Sequence, residues 1–262
     1  MNLKDFNNKH KGETIFILGN GEELGSLTEE QLSYIKEHTT IGVNYSHLIH
    51  TPSYMISGHF SQILYAQNYA KIDDIDRIFF QYKGAINGEV FDAFNEFKNM
   101  TKVNVEYFYN NTSIKVVKKA SDTDNYLVGA ANILISATNL AYIMGAERII
   151  FIGFNQRNRL HFYDLNEDMK KELKKNISNL KKKYSGRNKM DVINKDFDMF
   201  ISHMISEEEL RKTAFFNPDV SPGIKKIFEI TKNDGVELVS TEKKSKLVDC
   251  GATHVSFEDV LK

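Results

Sequence analysis

Four short apolar runs, rich in β-branched and aromatic residues, each stop at a glycine or an asparagine. Residues 14–18 stop at Gly19, 40–43 at Asn44, 54–57 at Gly58 and 148–152 at Gly153. Such runs, without the alternation of a half-wet strand, suit strands covered on both faces. Helical patterns separate them. Thr28 is a plausible N-cap for a helix running to about Glu37. Another helix is expected over 60–69. The clearest spans 129–144, where Ile133, Ala137, Leu140, Ala141 and Met144 recur at helical spacing. Further strands are expected at 77–80, 103–109 and 236–240, and a helix at 222–232. Strand and helix in alternation imply an α/β fold: a Rossmann-like, mostly parallel sheet with helices on both faces.

In such sheets ligands lie outside the carboxyl ends of the strands. That rule gathers residues 19–22, 44–45, 58–59 and 155–157 on one rim. Residues 156–222 break the rhythm and read as an inserted lid, containing a Lys-rich amphipathic segment at 167–184. The 262 residues form one expected domain, 1–262.

Composition narrows the partners. Lys plus Arg (34) balance Asp plus Glu (35), so no overall basic field draws in nucleic acid or anionic lipid. The single cysteine, Cys250, excludes an internal disulfide and any Cys/His zinc array, which suggests a reducing compartment. The N-terminus has no apolar leader-like core and no run approaches a membrane span, so a cytoplasmic protein is expected.

Gly19-Asn20-Gly21 with Gly25 forms a G-x-G-x-x-x-G pattern directly after a strand. Small residues there let the backbone approach a phosphate, and amides of the following helix would bind it; a tight turn without ligand is the plain alternative. A dinucleotide fold calls for an acidic residue at the end of its second strand, where this chain has Asn44, and the third glycine comes one place late. Both departures count against NAD. No G-x-x-x-x-G-K-[ST] is present either, which excludes a P-loop. Asn44 suits a base edge or a ribose hydroxyl, or else an Asx turn. Gly58-His59 repeats the pattern on the next strand, with His59 as a ligand contact or a solvated loop residue. In the stretch 155–164, Arg157 and Arg159 are phosphate partners, His161 is a candidate general base and Tyr163 could assist the leaving group. His203 reads as packed. His10, His38, His47, His50 and His254 read as incidental, and the lysines of 170–183 as a solvated helix face. No metal ligand set is apparent.

Gly19-Asn20-Gly21, the strand ending in Asn44, residues 129–131 through 140–146, and 149–155 resemble one group of proteins. It comprises the bacterial lipooligosaccharide sialyltransferases and proteins like the archaeal-type 6-hydroxymethylpterin diphosphokinase. The segments 245–248 and 257–261 and the pair His161-Phe162 are similar to the pterin-kinase-like branch. The resemblance covers about residues 13–163 and 222–261, in patches. It implies a Rossmann-like nucleotide domain with a lid. Asn20 and Gly21 would then contact the donor phosphates, Asn44 the nucleotide and Gly129 the donor. Asn155 stands where the sialyltransferases have a ribose-binding aspartate, and Leu127-Val128 replace small polar residues before Gly129. Their lid histidine has no counterpart; its approximate place falls near Asn217.

The leading expectation is a glycosyltransferase with a nucleotide-sugar co-substrate and no permanent cofactor. Its hydroxyl acceptor would be a glycan, a lipid-linked sugar or, as the one role for nucleic acid, a modified base. The second is ATP-dependent diphosphate transfer to a small alcohol such as a hydroxymethylpterin, which needs Mg²⁺ held by carboxylates. The third is a non-catalytic nucleotide-sensing or interaction protein. The oligomeric state is left open.

Overall fold

The computed structural model describes residues 3–69, 74–82, 105–111, 126–128, 132–155, 161–184, 197–198 and 221–262. The strands are β1 (Thr14–Leu18), β2 (Thr39–Val43), β3 (Tyr54–Ser57), β4 (Arg77–Tyr82), β5 (Val105–Asn111), β6 (Tyr126–Val128), β7 (Arg148–Ile152), β8 (Glu237–Ser240) and β9 (Thr253–His254). They form one sheet in the order β6-β5-β4-β3-β2-β1-β7-β8-β9. Every neighbouring pair is parallel. The chain lays strands outward from β1 through β6, then returns to place β7 on the other side of β1. The order reverses between β1 and β7, and there a doubly wound sheet opens its ligand crevice.

Strand periodicity sorts the core into two layers. In β1, Phe16 and Leu18 face one way, toward α2 (Glu29–Lys36), α3 (Phe60–Tyr69), α5 (Glu167–Tyr184) and α8 (Phe257–Val260). Ile15 and Ile17 face the other, toward α4 (Ile133–Ile143), α6 (Ser221–Asn233) and α7 (Lys246–Asp249), with Leu3 and Phe6 of an N-terminal 3-10 turn. Thr28 caps α2 as expected, and does so in a full capping box with Gln31. α1 (Glu22–Gly25) is a single turn after the glycine loop and buries only Leu24.

Some boundaries moved. The helix expected from 129 begins at Ile133, because Asn132 caps it by accepting the Leu134 amide. Nine of its eleven residues are buried, and its polar members are satisfied at β6: Asn139 accepts the Val128 amide at 3.1 Å, and Ser136 donates to the Val128 carbonyl at 3.1 Å. In the interval 156–222 expected as a lid, α5 buries Leu173, Ile177, Leu180 and Tyr184 in the same cluster as Phe60 and Ile63. That helix is a wall of the core, and its exposed face carries the lysines. Arg157, Arg159, Gly129, His203 and Asn217 lie outside the described residues. No helix among the described residues is long and apolar enough to cross a membrane.

Candidate functional site

The turn after β1 is built against the end of β7. Gly19 donates its amide to the Ile152 carbonyl at 2.8 Å, and Gly21 donates to the Gly153 carbonyl at 2.9 Å. A Cβ on Gly19 would fall 2.3 Å from the Gly153 oxygen, one on Gly21 2.8 Å from it, and one on Gly25 2.6 Å from the Phe162 Cβ. All three glycines of the motif are thus required by close packing, whatever the loop binds. The Gly21 amide is already donated within the protein. The first turn of α1 carries Glu22 and Glu23, and Glu23 accepts the Gly153 amide at 2.9 Å.

Acidity continues across the crevice. Asn155, just beyond β7, donates its side-chain amide to Glu242 beyond β8. The Asn155 carbonyl accepts the Lys246 amide at 2.9 Å, and the Phe154 carbonyl accepts the Ser245 hydroxyl at 2.6 Å. The exit of β7 is therefore pinned to the C-terminal segment. Burial pushes the Glu23 carboxyl up, opposed by its bonds from Gly153 and Thr241. Burial likewise raises Glu242, and the negative charges of Glu23 and Glu22 add to it. Among the described residues no group of three or more His, Cys, Asp or Glu side chains is arranged to hold a metal ion.

On the other flank, His161 forms an isolated antiparallel bridge with Gly21, and the Phe162 amide donates to the Asn20 carbonyl at 2.9 Å. Asp164 fixes the turn by accepting the His161 amide at 3.0 Å, with Lys170 Nζ 3.7 Å from the carboxylate. The half-buried His161 ring lies 4.9 Å from the ring of Tyr163. Tyr163 itself is buried, edge-on to Tyr45 at 6.1 Å and Phe162 at 5.2 Å. The structure thus brings Gly19, Asn20, Gly21, Asn155, His161 and Tyr163 to the switch point. Gly58 and His59 lie at the exit of β3, two strands from β1, where the His59 amide donates to Ser57 Oγ at 3.1 Å.

Asn44 ends β2 in the left-handed conformation, φ 55°, which Asn tolerates better than most residues. Its amide donates to the Ile56 carbonyl at 3.2 Å, and its carbonyl accepts the His47 Nδ1 hydrogen at 3.0 Å. His47 is not incidental, as its lack of ligand spacing had suggested. It is only 5% exposed, with rings of Tyr45 and Tyr65 centred 5.9 and 6.1 Å away. A carbonyl can only accept, so Nδ1 carries the proton and Nε2 is a bare acceptor. That Nε2 is buried with no hydrogen-bond partner. A buried polar group left so is typically destabilising by about 1–3 kcal/mol. Burial also drives the imidazole pKa down to about 4, partly offset by the bond to Asn44, so the ring is neutral at pH 7. The sequence signal for this residue was the Asn44…His47 spacing at a strand exit, three residues apart as in a capping turn. Of the other histidines read as incidental, His10 bonds Glu13 at 2.9 Å and Tyr54 at 2.8 Å, His38 donates to the Tyr34 carbonyl at 2.9 Å, and His254 is near enough to Glu23 to favour its charged form.

The described residues thus define an α/β protein with a Rossmann-like parallel sheet and a rim of histidine, asparagine and carboxylate side chains at its switch point. No protein-family model matches the chain, and no curated protein sequence matches it.

Proposed function

We propose that the chain is a nucleotide-dependent transferase, and within that class a glycosyltransferase using a nucleotide-activated sugar. The observation that supports this best is the bridge between Gly21 and His161, which seats an imidazole beside the glycine loop at the switch point. The acceptor hydroxyl would attack the anomeric carbon as its bond to the donor phosphate breaks. His161 takes the hydroxyl proton, and Arg157 or Arg159 neutralises the departing phosphate. Tyr163, buried between Tyr45 and Phe162, fits a role in positioning the His161 ring better than contact with the leaving group. The acceptor class stays as the sequence leaves it: a glycan, a lipid-linked sugar or a modified base.

A second reading is favoured by Glu22, Glu23 and Glu242. Carboxylates around the loop repel a bare diphosphate, and a divalent cation would reconcile the two. Mg²⁺-dependent diphosphate transfer from ATP to a small alcohol answers to that charge pattern. Both readings are tested by thermal shifts with CMP, UDP, GDP, TDP, ATP and NAD, each with and without Mg²⁺. A ligand at a hundred times its Kd adds about 2.7 kcal/mol. Stabilisation by a pyrimidine nucleotide without metal supports the glycosyltransferase; a response to ATP only with Mg²⁺ supports diphosphate transfer. Silence across the panel overturns both and leaves a non-catalytic interaction protein. A His161→Ala variant that binds donor and keeps full turnover removes His161 as the base.

A further inference from the structure

We infer that the β2 side of the rim accepts a hydroxyl donor, with His47 Nε2 as the receiving atom and the ribose of the nucleotide as the donor. This rests on the nucleotide reading above. Nδ1 alone is enough to hold the Asn44 carbonyl, and an asparagine could do the same without burying a second nitrogen. The structure instead keeps a neutral ring whose Nε2 has no hydrogen-bond partner. Such an atom is satisfied only by a donor. Phosphate oxygens at neutral pH are acceptors, so the anionic end of a nucleotide cannot serve; ribose hydroxyls can. Asn20 Oδ1, at the exit of β1, is another buried acceptor with no hydrogen-bond partner.

Position selects the ribose. In nucleotide-binding parallel sheets an acceptor at the end of the second strand receives the ribose hydroxyls, commonly a carboxylate. This chain has no carboxylate there: Asn44 ends β2, and His47 is tied to its carbonyl. A neutral imidazole lone pair takes the place of the charged acceptor. Because His47 is only 5% exposed, the hydroxyl reaches Nε2 by displacing the flanking Tyr45 or Tyr65 ring.

The test measures binding of CMP, UMP, GMP and AMP against their 2′,3′-dideoxy counterparts by calorimetry, on the full chain. The wild type should favour the ribonucleotide about tenfold, a ratio equivalent to 1.4 kcal/mol. His47→Asn keeps a donor for the Asn44 carbonyl but has no atom at the Nε2 position, and should bind both forms alike. His47→Gln, which places an amide near Nε2, should restore part of the preference. If His47→Asn fails to fold, the wild-type imidazole ¹⁵N resonance absent from His47→Gln decides: Nε2 should move upfield with CMP and stay unmoved with dideoxy-CMP. Nucleotide binding with no ribose preference, or a preference that survives in His47→Asn, overturns the inference and leaves the nucleotide reading standing. No binding of any nucleotide by the wild type overturns both.

Discussion

Lowering the pH from 6.5 to 4, with His47→Asn as the reference protein, isolates one buried group. In the unfolded chain the His47 imidazole has its ordinary value of 6.5; in the fold burial holds it at about 4. Between these values the unfolded state binds a proton that the folded state refuses. Unfolding free energy therefore falls as the pH falls, with no effect above 6.5 and the whole effect below 4. At about 1.36 kcal/mol per pH unit the total is about 3 kcal/mol, a large part of a domain's usual 5–15 kcal/mol. His50, also lowered by burial and by Lys36, acts alike in both proteins and cancels. The assay is urea unfolding of wild type and His47→Asn in pH steps from 7.5 to 4. The wild-type curve should drop away from the variant's below pH 6.5, with a melting temperature lower by roughly 5–10 °C at pH 4. Parallel curves through that window, or a folded-state imidazole that titrates near 6.5, refute the burial argument.

Three further outcomes follow from the same geometry. Gly19→Ala places a Cβ 2.3 Å from the Gly153 oxygen and 2.9 Å from the Phe154 ring, so it should lose about 1–3 kcal/mol in denaturant unfolding; an unchanged midpoint would show that the two loops are not packed together. Glu242→Gln should raise the melting temperature at pH 7. Burial, with Glu23 and Glu22, raises the native carboxyl, so its stabilising contribution is present below its ordinary 4.5 and lost as pH rises through the native value. The gain from glutamine should shrink below pH 4.5, and a gain independent of pH would refute the cause. Asn44→Ala should lose about 1 kcal/mol from the left-handed strain at φ 55°, while Asn44→Gly should not; equal stability of the two variants in urea would deny that strain.

What was legible in the sequence was local. The runs at 14–18, 54–57 and 148–152 are strands because β-rich apolar residues end at turn formers, and Thr28 caps α2 because its hydroxyl can accept an amide of the first turn. β6 and β9, of three and two residues, hold too little pattern to be seen. They exist because neighbouring strands offer an edge to pair with. The reach of 129–144 was overread because small residues before Asn132 fit a helical pattern as well as a loop. The glycine motif was visible, but its cause was not, since Gly153 and Phe162 lie more than a hundred residues further along. The same distance hid Glu242 from Glu22 and Glu23, and the burial of His47 was hidden because it depends on Tyr65 from α3, on a separate element.

That nonlocal chemistry changes what the rim asks of a ligand. Read along the chain, Gly19-Asn20-Gly21 suggested amides turned toward phosphate. Folded, the Gly21 amide is donated to Gly153, and Glu22, Glu23, Glu242, Asn20 Oδ1 and His47 Nε2 all stand as acceptors. On the nucleotide reading, such a rim would discriminate by what a ligand can donate: hydroxyls and amines would be received, and phosphate only with its charge met elsewhere. A nucleotide laid across this crevice, on the transferase reading, would put its ribose over β2 and carry its phosphates away from the carboxylates or bind them through a divalent cation. The orientation follows from the donor and acceptor inventory alone. The sign of the Mg²⁺ effect on nucleotide affinity therefore separates the two transferase readings more sharply than the identity of the base.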